Sequence, residues 1–114
     1  MARSVIPDPL KRRHWLEGEL SPERARAVAE AYLAEGRDAE SLAFLAKAGA
    51  SERLEEVLAE AVAAGDVFLV REGSKLLGRD VDASTWHSVA AGAAAAGKDH
   101  YAHEARRLAA AVEG

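Results

Sequence analysis

Three stretches of this chain carry residue types that could do chemistry. His100 and His103 stand three residues apart and are followed by Glu104. On a helix that spacing puts two imidazoles on one face, where their ring nitrogens could ligate a metal. His87 is the one further histidine in the same part of the chain, and the His-Glu-x-x-His order of zinc proteases is absent. Histidines beside an acid are common on exposed helices, so neither a metal nor any other cofactor is expected. Lys11-Arg12-Arg13-His14-Trp15 sets three cations beside an indole, a pattern suited to phosphate contacts with base stacking. Lys11, Arg12, Arg13 and Trp15 are therefore the candidates for a nucleic-acid site. The alternative is a short helix whose Leu10 and Trp15 pack inward while its cations stay solvated. Glu72-Gly73-Ser74-Lys75 contains Gly-Ser-Lys without the earlier glycine of a phosphate loop. His87 and Ser88 are sequence neighbours, which is not triad geometry. Glu52, Glu55, Glu56 and Glu60 fall along a helix surface and read as a solvated face rather than an acid–base pair. These residues together point away from an enzyme.

The elements that must position them are helices. The chain has 114 residues, 49% apolar and 30% charged, which is the size and balance of one globular domain. It contains no cysteine, which excludes thiol catalysis, cysteine-ligated zinc and iron–sulfur centres. A net charge of −4 speaks against a general nucleic-acid binder. No apolar run approaches the roughly 20 residues that span a bilayer, so no membrane role is expected. Met1 to Pro7 hold one basic residue and no apolar core of a secretory signal, and a cytoplasmic protein is expected. The 27 alanines favour helix and let helices approach closely.

Helix starts and stops recur. Asp8-Pro9 opens a short helix that Gly18 stops. Ser21-Pro22-Glu23 is an N-cap, a first-position proline and a first-turn acid. Ala25, Val28, Ala29, Tyr32 and Leu33 then mark one face, and Gly36 ends the helix. Asp38 is expected to cap the next, with Ala39, Leu42, Leu45 and Ala46 inward and Gly49 as the stop. Ser51 begins a third start, with Leu54, Val57, Leu58, Ala61 and Val62 inward and Gly65 at the end. Asp66 caps a segment closed by Gly78. Within it Val67-Phe68-Leu69-Val70 suits a strand as well as a helix, and helix is preferred because a lone strand would leave its backbone groups unpaired. Asp82 or Ser84 opens the helix of Trp86, Val89, Ala90, Ala93 and Ala94, which Gly97 ends. Asp99 is expected to cap the last helix, with Tyr101, Ala102, Ala105, Leu108, Ala109 and Val112 inward.

Gly36, Gly65 and Gly97 are 29 and 32 residues apart, and aligning them superposes Ala25, Leu54 and Trp86, then Val28, Val57 and Val89. A period near 30 with paired helices indicates an α-solenoid, against the alternative of an ordinary bundle. At these residues the sequence resembles the tetratricopeptide repeat. Val28-Ala29-Glu30-Ala31-Tyr32-Leu33-Ala34-Glu35-Gly36 is similar to its first helix and turn. Leu45 and Ala48 match its second helix, Ser41 stands where the family prefers alanine, and Trp86, Ala102 and Ala109 match in the last unit. The units are shorter than the family's 34 residues and lack its closing proline. The resemblance covers residues 21–114 and implies antiparallel helix pairs in a right-handed stack that binds protein or peptide without catalysis.

The expected architecture is all-α, a single domain of about seven helices: an N-terminal segment, 1–20, and helix-pair units 21–50, 51–81 and 82–114. If the first helices of the units line a groove, Glu23, Arg26, Glu30 and Leu33 face it from the first. Glu52, Glu55, Ala59 and Val62 do so from the second, and Ser84, His87, Ala91 and Ala94 from the third. That groove is acidic on one side and apolar on the other, so its partner is a protein or peptide with basic and apolar groups. The alternatives are nucleic-acid binding through the Lys11 to Trp15 run and self-association. A second copy would cover the face of Leu108 and Val112 in a homodimer.

Overall fold

Four of the local start signals act as the spacing predicts. In a computed structural model, which describes residues 5–114, the Asp8 side chain accepts the Lys11 N–H at 2.9 Å and opens α1 (Pro9–Glu17). The expectation for the segment before Val5 lies outside those residues. Ser21 Oγ accepts the Arg24 N–H and opens α2 (Pro22–Ala34). α3 (Asp38–Lys47) and α4 (Ser51–Ala64) follow. Asp66 caps α5 (Val67–Leu76) through the Leu69 N–H, and Asp82 caps α6 (Ala83–Ala95) through the Thr85 N–H. α7 (Asp99–Glu113) is the last. The described residues contain these seven helices and no strand, so the fold is all-α and Val67-Phe68-Leu69-Val70 is the start of a helix.

Two caps are corrected. Asp38 and Asp99 are the first helical residues, and Arg37 and Lys98 hold the cap positions without a side-chain bond. The reason lies in the preceding turn. The Arg37 N–H donates to the Tyr32 carbonyl at 2.9 Å and the Gly36 N–H to the Leu33 carbonyl, which closes α2. Asp66 with Ala61, and Lys98 with Ala93, repeat the arrangement. One residue after each glycine thus ends one helix and caps the next. Only in Asp66 does that residue have a side chain able to accept. Asp38 and Asp99 instead place a carboxylate in the first turn, where the helix dipole favours it.

The chain divides into two compact units, one running to Leu54 and one from Glu55. In the first, α2 and α3 form a hairpin around Ala25, Val28, Ala29, Tyr32, Leu42, Phe44 and Leu45, all buried. The Tyr32 and Phe44 rings meet at 5.8 Å. Ala39 and Ala46, expected inside, are exposed, and Ser41 and Phe44 take their place. The buried Ser41 hydroxyl donates to the Asp38 carbonyl at 2.7 Å, which satisfies it inside this core. α1 buries no residue fully and is held by polar side chains on backbone oxygens. Arg12 donates to the Glu40 carbonyl at 3.1 Å, and Lys47 to those of Leu16 and Gly18. Leu10, expected inside, is 67% exposed, because α1 turns Arg12 towards α3.

In the second unit α6 and α7 form the other hairpin. Its interface is largely alanine, with Ala90, Ala93, Ala102, Ala105 and Ala109 buried. Trp86 and Val89 complete it, with Val57, Ala61, Val67, Leu69 and Val70 from α4 and α5. The end of α4 approaches α6 backbone to backbone: a Cβ on Gly65 would lie 2.3 Å from the Ala93 Cα. Gly65 also has φ +74, so glycine is required there for conformation and for space. Lys98 Nζ donates to the Ala64 carbonyl at 3.2 Å and covers the same helix end. Ala94, Tyr101 and Val112, expected inward, are exposed, while Leu58, Val62 and Leu108 are half-buried at the rim.

Candidate functional site

The residues expected to face a groove lie on α2, α4 and α6, with much of their charge already engaged. On α2, Glu23 is exposed and Leu33 half-buried. Glu30 receives Arg53 through two hydrogen bonds, at 2.9 and 3.1 Å, and lies 3.6 Å from Arg26. The Arg53 hydrogen bonds, opposed in part by desolvation and aided by the Arg53 and Arg26 charges, hold the Glu30 carboxyl below its ordinary range. On α4, Glu52 and Ala59 are exposed, and Glu55 pairs with Arg79. On α6, His87 Nε2 is 3.2 Å from a Glu113 carboxylate oxygen, and Ser84, Ala91 and Ala94 are exposed.

Three of these residues share a cleft. Glu55, Ala59 and Val62 line a cavity of about 280 Å³ in the second unit, together with Asp80, Val81 and Thr85. The loop after α5 brings in Asp80 and Val81, and the first turn of α6 brings in Thr85. Asp82, also in the wall, is held below its ordinary carboxylate range by its hydrogen bonds with the Thr85 side chain and backbone. The lining thus combines the carboxylates of Glu55, Asp80 and Asp82 with aliphatic side chains, and it includes Arg79, which pairs with Glu55. His87 is not among its lining residues. The contribution of Asp80 and Val81 had no sequence signal, because periodicity places helical residues and is silent about loops.

The basic run does not present one cationic face. Arg12 is half-buried, its guanidinium 5.8 Å from the Tyr32 ring centre and 5.5 Å from that of Phe44. Arg13 is paired with Glu17 at 2.7 Å. Lys11 remains exposed, and Trp15 is half-buried beneath it, with Arg24 of α2 at 5.6 Å from the indole centre.

His100 and His103 are exposed, and His100 meets the Tyr101 ring edge-on. No group of three or more His, Asp or Glu able to hold a metal ion occurs among the described residues. No helix there is long and apolar enough to cross a membrane. Phe68, 59% exposed, and Tyr101, 48% exposed, line a further cleft beside the Arg71–Glu104 pair. Phe68 carries no signal in the sequence beyond the strand-or-helix ambiguity of its segment. Val112, 53% exposed, lines another cleft with Trp86 and Lys75. No family model matches the chain, and no curated protein or solved structure does.

Proposed function

We propose that this protein is a non-catalytic interaction module, tetratricopeptide-like in its helix pairs, that takes a peptide or helix carrying basic and apolar groups. The observation that carries the reading is the α4 cleft, lined by Ala59, Val62 and Val81 with Glu55, Asp80 and Asp82, where Arg79 pairs with Glu55 and, among the described residues, no ion pair engages the two aspartates. A cation would meet the carboxylates while an aliphatic side chain enters between them. The repeat-like reading is supported by five equivalent glycine turns, at Gly36, Gly65 and Gly97 and, between them, at Gly49 and Gly78. It is supported too by the packing of α4 on α6 and of α5 on α7 within the second unit. We take the protein itself to be cytoplasmic.

The test is a photo-crosslinking amino acid at position 59, in the cleft, with position 110 on the exposed side of α7 as control. In living cells position 59 is expected to capture a defined protein that position 110 does not, and Val62→Asp should abolish the adduct. Equal capture from both positions, or an adduct indifferent to Val62→Asp, would defeat the assignment.

A further inference from the structure

A second cavity, in the first unit, has the opposite charge. It encloses about 340 Å³ between the segment before α1, α1 itself and α2. That volume lies within the roughly 300–1,000 Å³ common for ligand pockets. Ile6, Pro7 and Val28 supply apolar wall, and Trp15 closes one side. Lys11 and Arg24 stand at the indole, at 6.0 and 5.6 Å from its centre. Both are exposed, and among the described residues neither forms an ion pair. Asp8 is the one carboxylate in the lining, and it is already engaged as the α1 cap. Most other cations on the described surface are paired with acids or bonded to carbonyl oxygens, as Arg13, Arg37, Lys47 and Lys98 are.

We propose that this cavity binds an acidic peptide segment of a partner protein, its carboxylate held between Lys11 and Arg24 and a neighbouring aliphatic side chain set against Ile6, Pro7 and Val28. Two cations free of ion pairs, against the single carboxylate of Asp8, leave the pocket net positive, which attracts an anion that has a hydrophobic neighbour, and the charge-assisted hydrogen bonds of Arg and Lys fix its position. A peptide fits this chemistry better than a nucleic acid does. Arg12 is turned into the fold and Arg13 is neutralised by Glu17, so only two cations of the neighbourhood remain for a backbone of phosphates. The indole on which a base would stack already carries both cations. The site is independent of the α4 cleft, which selects a basic partner.

The experiment is an NMR titration that follows the two indole N–H resonances. Trp15 reports the cavity, and Trp86, 4% exposed in the second unit, is the internal control. The probes are acetyl-Leu-Glu-Leu-Glu-Leu-amide, its glutamine counterpart, and a short oligothymidylate. The glutamate peptide should shift Trp15 saturably and leave Trp86 unmoved. The glutamine peptide should bind at least about tenfold more weakly, and the variant with Lys11→Gln and Arg24→Gln should lose about as much for the glutamate peptide. Both substituted side chains are exposed, so the variant should keep its fold, which the unchanged Trp86 resonance would verify. Equal binding of both peptides, or indifference to the double substitution, would overturn the proposal. A Trp15 response to oligothymidylate without one to the glutamate peptide would overturn it in favour of nucleic acid.

Discussion

Gly92 of α6 lies so close to Ala63 of α4 that a Cβ on the glycine would come within 2.4 Å of the Ala63 carbonyl oxygen. The neighbour is backbone, which cannot rotate away. Gly92→Ala would ordinarily help a helix by about 1 kcal/mol. Here it should instead destabilise, by about 1–3 kcal/mol, because α4 and α6 must separate to admit a methyl group. Urea unfolding checks this. An unchanged or raised midpoint would show that the two helices can part without loss.

Arg12 and Arg13 are adjacent in sequence and should behave differently. Arg12→Gln removes the donor to the Glu40 carbonyl and the guanidinium packed on Tyr32 and Phe44. A loss of about 1–3 kcal/mol is expected. Arg13→Gln breaks only the exposed pair with Glu17 and should cost less than about 1 kcal/mol. Thermal melts of the two variants make the comparison. Equal effects would mean that Arg12 is not anchoring α1.

Acid should weaken the fold in a defined direction. Glu30, through Arg53, and Glu40, through Arg37, ionise more readily in the folded chain than they ordinarily would, as does Asp82 through Thr85. A carboxylate with a lowered folded pKa binds its proton more readily when unfolded. Its contribution is therefore complete above the ordinary carboxylate range and is lost as pH falls through the folded value. Melting temperature should hold steady near neutrality and drop below about pH 4. Glu30→Gln should flatten that drop, and a slope identical to that of the parent would remove Glu30 from the account.

Charge and apolar substitutions on α4 should act on different rate constants once a partner is in hand. Glu52→Lys with Glu55→Lys should slow association, most at low salt, because exposed charge steers encounter. Val62→Asp should instead speed dissociation by setting a charge against the aliphatic anchor. The Glu55–Arg79 pair is exposed, so its loss should leave folding nearly unchanged. Surface plasmon resonance separates the two constants. A charge reversal that alters only dissociation would contradict the steering role.

Much of the helix frame was legible in the sequence. The caps at Asp8, Ser21, Asp66 and Asp82 and the stops at Gly36, Gly49, Gly65, Gly78 and Gly97 depend on bonds between residues a few positions apart. Residue type and spacing are sufficient for such contacts. Asp38 and Asp99 differ: each stands one residue inside its helix rather than at the cap. The glycine turn defines the cap position one residue earlier, whichever residue stands there.

What only the tertiary structure decided is which side of each helix meets a neighbour. Periodicity in α3 offered Ala39 and Ala46, yet contact with α2 buried Ser41 and Phe44, because Tyr32 supplies an aromatic surface for Phe44 to meet. Arg12 is polar by type but turns inward because a backbone carbonyl and two aromatic rings await it there. Both clefts follow the same rule. Asp80 and Val81 reach the α4 cleft through a loop, and Arg24 reaches Trp15 from another helix. Spacing along the chain holds no record of such meetings, since they are settled by the shapes of surfaces far apart in sequence.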